Sequence, residues 1–273
     1  MNALERWRLE LAGWAIPDEI LAAAPESPWG FPPELFRSRA ERTPAQPSAT
    51  TRIALDALGT GGDVLDVGVG GGATSLPLSV VATRITGVDE SAGMLAGFLG
   101  SAREAGVEAG TVEGRWPGAS PDAPTAEVVV CGHVLYNVGE LEPFVRALGA
   151  HARRRVVVEI TSAHPLAWMR DLWRRFHGVE RPTGPSADLA VTAIGELGIE
   201  VRREDEARVP RSGGFQRRED AIAFIRRRLC LSAGRDDELA EALGERLVER
   251  DGLWAAGPLE HPIVTMWWDR AET

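Results

Sequence analysis

The chain contains no lysine; all 30 of its basic residues are arginine. A lysine Schiff base and the lysine of a phosphate-binding P-loop are therefore excluded. A G+C-rich coding preference explains the bias without any selected role. Cysteine is also scarce. Cys131 and Cys230 form no Cys-x-x-Cys and no Cys/His cluster, so neither a disulfide framework nor a zinc site is readable. No apolar run approaches ~18 residues, so no transmembrane helix is expected. Charge in Met1-Asn2-Ala3-Leu4-Glu5-Arg6-Trp7 occupies the place where a secretory signal needs an apolar core, and a cytoplasmic location is expected.

The 273 residues are enough for one large domain or two small ones, and 44% hydrophobic with 26% charged is a globular composition. Forty acidic residues against 30 basic give a net charge of −10, which opposes general binding to nucleic acid while leaving room for a local basic patch.

Residues 1–50 read as a helical N-terminal cap. Leu4 to Trp14 is amphipathic, and Pro17-Asp18-Glu19 starts a second helix. The stretch Pro25 to Pro33 is too rich in proline for a regular element, and its Trp29 and Phe31 are expected over a pocket mouth. From residue 51 strands and helices alternate. Strands are expected at 63–67, 84–88, 107–112, 127–131 and 155–160, with helices ending at Leu58 and spanning 75–83, 92–105 and 140–150. Such βαβα alternation argues for a parallel sheet covered on both faces. Beyond it, 166–176, 188–197, 219–229 and 236–249 read as helices and 199–209 and 262–268 as strands. The 210–258 stretch reads as a helical insertion before the last strand, inside one domain covering 51–273.

The most informative segment is Val64-Leu65-Asp66-Val67-Gly68-Val69-Gly70-Gly71-Gly72-Ala73. A strand runs into a glycine turn where backbone can approach a ligand without a Cβ in the way, and the next helix would turn its free N–H groups toward that ligand. Twenty-three positions on from Asp66, Gly87-Val88-Asp89-Glu90-Ser91 places a carboxylate at the end of the second strand, where it can accept both hydroxyls of a ribose. The same glycines satisfy a dinucleotide fingerprint, so a nicotinamide-linked oxidoreductase is a rival. Asp66 just before the first glycine argues against that rival. A third possibility is a purely structural glycine turn with a buried aspartate.

Together with Asp89-Glu90-Ser91-Ala92-Gly93-Met94-Leu95, with Glu127 to Asn137 and with Val156-Val157-Val158-Glu159, this segment resembles the class I S-adenosylmethionine-dependent methyltransferases, in particular their ubiquinone-biosynthesis-like small-molecule branch. The resemblance covers about residues 51 to 165, and Ile263 to Trp268 fits the family's antiparallel last strand. It implies an α/β fold: a seven-stranded Rossmann-like methyltransferase sheet with helices on both faces. It implies S-adenosylmethionine as cofactor and an enzyme that methylates a small-molecule acceptor. An RNA or protein methyltransferase of the same fold, or a non-catalytic S-adenosylmethionine-binding protein, are the alternatives.

The resemblance also assigns roles. Asp66 and the Gly68 backbone would hold the amino end of the methionine moiety, Gly70 and Gly72 would let backbone approach the cofactor, and Asp89 would bind the ribose. Glu90, Met94 and Cys131 join the cofactor-binding set by position. Gly114-Arg115-Trp116 stands where many members carry Gly-Asp against the adenine amino group. Arg115 departs from that pattern, which leaves Trp116 as a candidate to stack on adenine.

Methyl transfer from a sulfonium is an in-line displacement that alignment in a dry pocket largely achieves; a base matters only if the acceptor must lose a proton. The candidates are His133 and Tyr136 after the fourth strand and His164 after the fifth, since ligands sit outside strand carboxyl ends. Each has a plain structural reading beside the catalytic one: a ring packed beside the cofactor, a half-buried wall residue, a histidine at a helix entry. His133 also joins the cofactor-binding set. No metal set is recognisable. The aromatic set Trp29, Phe31, Trp168, Trp173 and Phe176 is either an apolar substrate pocket or the core of the cap. The arginine runs at 153–155, 174–175 and 226–228 read as solvated faces offset by acids.

Overall fold

A computed structural model describes residues 1–29, 47–208, 214–258 and 260–270. Its centre is a seven-stranded sheet of β1 (Gly62–Val67), β2 (Ala82–Asp89), β3 (Glu108–Glu113), β4 (Ala126–Gly132), β5 (Ala152–Thr161), β6 (Arg202–Arg208) and, after a hairpin of β7 (Leu247–Arg250) and β8 (Leu253–Ala256), β9 (His261–Asp269). The spatial order is β3-β2-β1-β4-β5-β9-β6. β1 to β5 run parallel, and β9 runs antiparallel to both β5 and β6. β1 pairs with β2 on one side and β4 on the other, so the order reverses there, and the crevice outside the carboxyl ends of β1 and β4 is the ligand position of such sheets.

The central strands are apolar because both faces are covered. Alternate residues point to opposite faces. Leu65, Val67, Val129, Cys131, Val156 and Val158 join one core with the helix Leu141–His151, the helix Ala187–Gly195 and the N-terminal helix Ala3–Ala12. Val64, Val128, Val130 and Val157 join the other, with the helices Ala49–Leu58 and Ala92–Glu104. A third cluster forms a cap from the helices Arg170–His177, Arg218–Arg228 and Asp236–Leu243, with Ile16 and Ile20 packed against it. Trp168, Trp173 and Phe176 belong to this cap core. Trp29 is 56% exposed, and Phe31 lies outside the described residues.

Two sequence expectations fail. The helix expected over 75–83 is only a 3-10 turn, Leu76–Leu78. Pro77 supplies no N–H to a helix there, and Ser75 makes no capping bond. The helix expected over 236–249 stops at Leu243, where Gly244 takes φ +51°, and the chain then forms the β7–β8 hairpin. Its turn is Asp251-Gly252, both at positive φ, the residue pair such a two-residue turn favours. The 210–258 insertion is therefore helical with a hairpin.

The N-terminal helix is tied to the sheet domain by Trp7. Its side chain is fully buried, its indole N–H donates to the Val138 carbonyl at 2.8 Å, and it stacks on Tyr136 at 5.7 Å between centroids. Trp7→Ala is expected to cost about 3–5 kcal/mol, read as a lower urea midpoint. A loss under about 1 kcal/mol would mean that the helix is not part of the cooperative unit.

Candidate functional site at the carboxyl edge of the sheet

Asp66 is the penultimate residue of β1, in register with Gly87 of β2 and Val130 of β4. Its side chain is 1% exposed, and neither carboxylate oxygen has a hydrogen-bond partner. The Ser75 hydroxyl, fully buried nearby, is likewise unpartnered. Burial pushes the Asp66 carboxyl up to about 7, with the Asp89 charge adding to the rise; the nearby Ser75 hydroxyl and N–H offset part of it without completing a hydrogen bond of normal geometry.

Past Val67 the chain turns sharply. The Gly68 and Val69 N–H groups donate to the Val88 carbonyl at 2.8 and 3.0 Å. Gly68 sits at φ +76°, and a Cβ there would fall 2.3 Å from the Val134 side chain, so glycine is required on both counts. Gly70, at φ +49°, and Gly71 face open space, whereas Leu76 and Phe98 close over Gly72. The turn is held by Asp89 at the end of β2. One of its carboxylate oxygens accepts the Gly70 N–H at 3.0 Å and the other the Ser91 N–H at 2.9 Å. Each oxygen keeps a further lone pair. The turn leads into no α-helix, so the expected helix N-terminus facing the ligand is absent, and the N–H groups of Gly68, Val69, Gly70 and Gly72 are already engaged.

His133 follows β4 in the left-handed region at φ +60°, a conformation that costs a non-glycine residue roughly 1 kcal/mol or more and that tends to mark functional positions. Its backbone N–H donates to the Glu159 carbonyl at 2.7 Å, and its ring Nε2 lies 3.1 Å from the Glu159 carboxylate. The histidine side chain is half exposed at 52%, and Glu159 is nearly buried at 9%. Behind Glu159 stand two buried threonines. The Thr50 hydroxyl donates to its other carboxylate oxygen, and Thr265 lies 2.7 Å from Thr50. A carboxylate only accepts, so Nε2 carries the proton and Nδ1 is the free basic nitrogen. Glu159, Thr50 and Thr265 were not identified as site residues from the sequence. They are 109 and 215 positions apart along the chain, and no local pattern joins them.

The other two catalytic candidates are packed away. Tyr136 is 6% exposed, its hydroxyl donates to the Thr161 carbonyl at 2.7 Å, and burial raises its phenol well above the usual value. His164 is 7% exposed, stacks on Trp14 at 4.2 Å and meets Tyr136 edge-on at 5.2 Å. Its Nδ1 accepts the Leu166 N–H at 3.3 Å, and burial lowers the ring to about 4. It is therefore a neutral wall residue near neutrality, not a base. Trp116, the stacking candidate for adenine, is a core residue. It is 7% exposed, packs edge-on to His151 and gives its N–H to the Phe144 carbonyl at 3.3 Å.

Cys131 is fully buried in the sheet core, its thiol held in the neutral form mainly by burial, so only its backbone can meet a ligand. Glu90 and Arg115 are exposed; Met94 is half-buried in the first turn of the helix Ala92–Glu104, its N–H capped by Ser91. The Gly114 N–H donates to the Asp89 carbonyl at 2.9 Å, tying the end of β3 to the same edge. Among the described residues no group of three or more His, Cys, Asp or Glu is placed to hold a metal ion. No helix among them is long and apolar enough to cross a membrane.

Residues 65–154 match the family model described as "Methyltransferase domain". A putative methyltransferase from Bacillus halodurans C-125 superposes at a TM-score of 0.54 and 14% identity, covering 82% of this chain and 97% of its own. The YcgJ protein of Bacillus subtilis gives 0.52 at 15%, covering 82% and 99%. Magnesium protoporphyrin IX methyltransferase from Synechocystis PCC 6803, with bound S-adenosylhomocysteine, gives 0.50 at 12%, covering 97% and 93%. No curated protein matches the chain in sequence. Residues 65–154 thus match a methyltransferase domain, and the chain has the Rossmann-like methyltransferase fold expected from its motifs.

The Asp66 environment has a measurable consequence. With the folded carboxyl near 7 and the unfolded one near 3.8, the native state keeps a proton that the unfolded chain has released between those values. Stability must therefore fall as pH rises from about 4 to about 7, by on the order of 4 kcal/mol from this group. Asp66→Asn is expected to remove that slope in the difference between the two proteins' urea unfolding curves. Parallel curves would mean that Asp66 is not enclosed unpaired.

Proposed function

We propose that the chain transfers a methyl group from S-adenosylmethionine to a small-molecule acceptor. The observation that carries this is the buried, unpartnered Asp66 carboxylate beneath a glycine turn that Asp89 holds open at the switch point. A buried charge without a partner is stable only if something compensates it, and an ammonium group is the natural partner. Asp66 would take the amino end of the methionine moiety, the Gly70 and Gly71 backbone would line the cleft, and the second lone pairs of Asp89 would take the ribose hydroxyls. The Synechocystis enzyme, similar in fold and named for a small acceptor, supports the same use of the cleft.

S-adenosylmethionine supplies an electrophilic methyl on a sulfonium whose thioether leaves readily. The chain's own part is to align the acceptor and keep water out. His133 is the base where the acceptor must lose a proton. Glu159 turns the ring so that Nδ1 is free, and it stabilises the charge that proton uptake creates. Nucleic acid is disfavoured as acceptor because most of the arginine runs are neutralised. Arg153 pairs with Glu127, Arg155 with Asp56 and Asp269, Arg174 with Glu180, and Arg226 with Glu26 and Asp236.

Titration calorimetry with S-adenosylhomocysteine is the test. Asp89→Ala is expected to weaken binding by about 2 kcal/mol, roughly thirty-fold in Kd, since hydrogen bonds to a charged group are lost. Binding near pH 6 should release a proton as Asp66 ionises against the ligand, seen as a buffer-dependent enthalpy that Asp66→Asn abolishes. His133→Ala is expected to leave this affinity unchanged and to lower turnover of any acceptor found by about 100-fold. Absence of binding to the unaltered protein would remove the proposal.

A further inference from the structure

The cap holds a second charge without a partner. Arg181, in the loop after the helix Arg170–His177, is 3% exposed, and among the described residues no carboxylate pairs with it; its two buried nitrogens Nε and Nη2 have no hydrogen-bond partner. Its guanidinium is fixed on three sides. Nη1 donates to the carbonyls of Gly13 at 3.2 Å and Ala15 at 2.6 Å, and the plane stacks on Trp173 at 4.0 Å from the ring centroid. Its own backbone carbonyl is held by Arg170 Nε at 2.8 Å. Nε and Nη2 form one edge of the fork, with parallel N–H bonds spaced to match the two oxygens of a carboxylate.

Burial without an anion is costly, and it lowers the affinity of the guanidinium for its proton. The nearest titratable neighbour, the Cys230 thiol, is itself pushed up by burial and stays neutral, so it does not balance the charge. A structural arginine serving only the Gly13 and Ala15 carbonyls would not need to enclose its other edge.

The position connects this edge to the candidate active site. Gly13 and Ala15 flank Trp14, which stacks on His164 just past the carboxyl end of β5, and the Trp14 N–H donates to the Gly184 carbonyl at 2.6 Å. His164 in turn meets Tyr136, after β4. Trp14, His164 and Tyr136 thus pack as a buried row between the ends of the central strands and the backbone that holds the guanidinium.

We propose that the free Nε–Nη2 edge of Arg181 is the anchor for a carboxylate on the methyl acceptor. This rests on the methyl-transfer reading for the identity of the ligand as acceptor, but the anion site itself does not depend on it. Arg181 is a binding residue and takes no part in bond making. The in-line displacement stays at the β1–β4 crevice, and the anchor fixes which end of the acceptor faces it.

The test uses the full chain and benzoate as probe, with inorganic phosphate as the competing anion, by calorimetry with and without S-adenosylhomocysteine. Benzoate is expected to bind at one site and phosphate to bind far more weakly. R181K keeps the charge but not the fork, and R181M removes both. Each is expected to lose at least tenfold in benzoate affinity while S-adenosylhomocysteine binds as in the unaltered protein. Benzoate that binds no better than phosphate, or that binds R181K as well as the unaltered chain, overturns the proposal. Should the variants fail to fold, the Arg181 Nε–H resonance of the unaltered protein decides: a shift on benzoate addition supports the anchor, and an unmoved resonance overturns it. Benzoate binding without any S-adenosylhomocysteine binding would retain the anion site and remove the methyl-transfer reading.

Discussion

The Asp66 carboxylate is the constraint around which the rest of the site is arranged. A carboxyl enclosed between β2 and β4 without a hydrogen bond is costly to ionise, and it holds its proton up to about 7. The sheet tolerates it because β1 is clamped on both flanks and its neighbours Leu65 and Val67 are fully packed on one face. The fold therefore supplies from elsewhere the free energy that this position costs. That is the usual relation between a scaffold and a preorganised polar site.

The same logic explains the contrast between the carboxylates at this edge. Asp89 is satisfied by the Gly70 and Ser91 backbone, so it acts as a brace that also offers lone pairs. Glu159 is held by Thr50 and His133, and it fixes the histidine ring in place. Only Asp66 is left open. Three acids within one crevice thus take three roles, set by how many donors each already has rather than by residue type.

The parts of this arrangement that are short in sequence were legible in it. The strand, glycine turn and following carboxylate lie within the single β1–turn–β2 crossover, and the residue types follow from backbone approach and strand pairing. The apolar strands β1, β4 and β5 announced a sheet covered on both faces. The failures came where distant residues decide. Trp116 looked free to stack on a base because nothing local shows that the helix Leu141–His151 claims its indole. His164 looked available because its cover, Trp14, lies 150 positions earlier. Thr50 and Thr265 could not be joined to Glu159 before the sheet order was known. Two misses were local and avoidable: Pro77 inside the expected 75–83 helix, and Asp251-Gly252 inside the expected 236–249 helix, were both present as breakers.

The lack of lysine sharpens what the arginines mean. Where every cation is a guanidinium, its presence alone carries no information, and its partners carry all of it. Surface arginines such as Arg153 and Arg155 are matched by acids and bind across strands. Arg181 differs from them in being enclosed and held by carbonyls and a ring, with its carboxylate-shaped edge left over. Asp66 and Arg181 are thus a buried anion wanting a cation and a buried cation wanting an anion. They belong to separate cores, one in the sheet and one in the cap. An ammonium-bearing methyl donor at the first and an acid at the second would compensate both. A chain selected for folding alone gains nothing from enclosing two polar groups of opposite kind apart and unpaired, and that asymmetry is the physical argument behind both proposals.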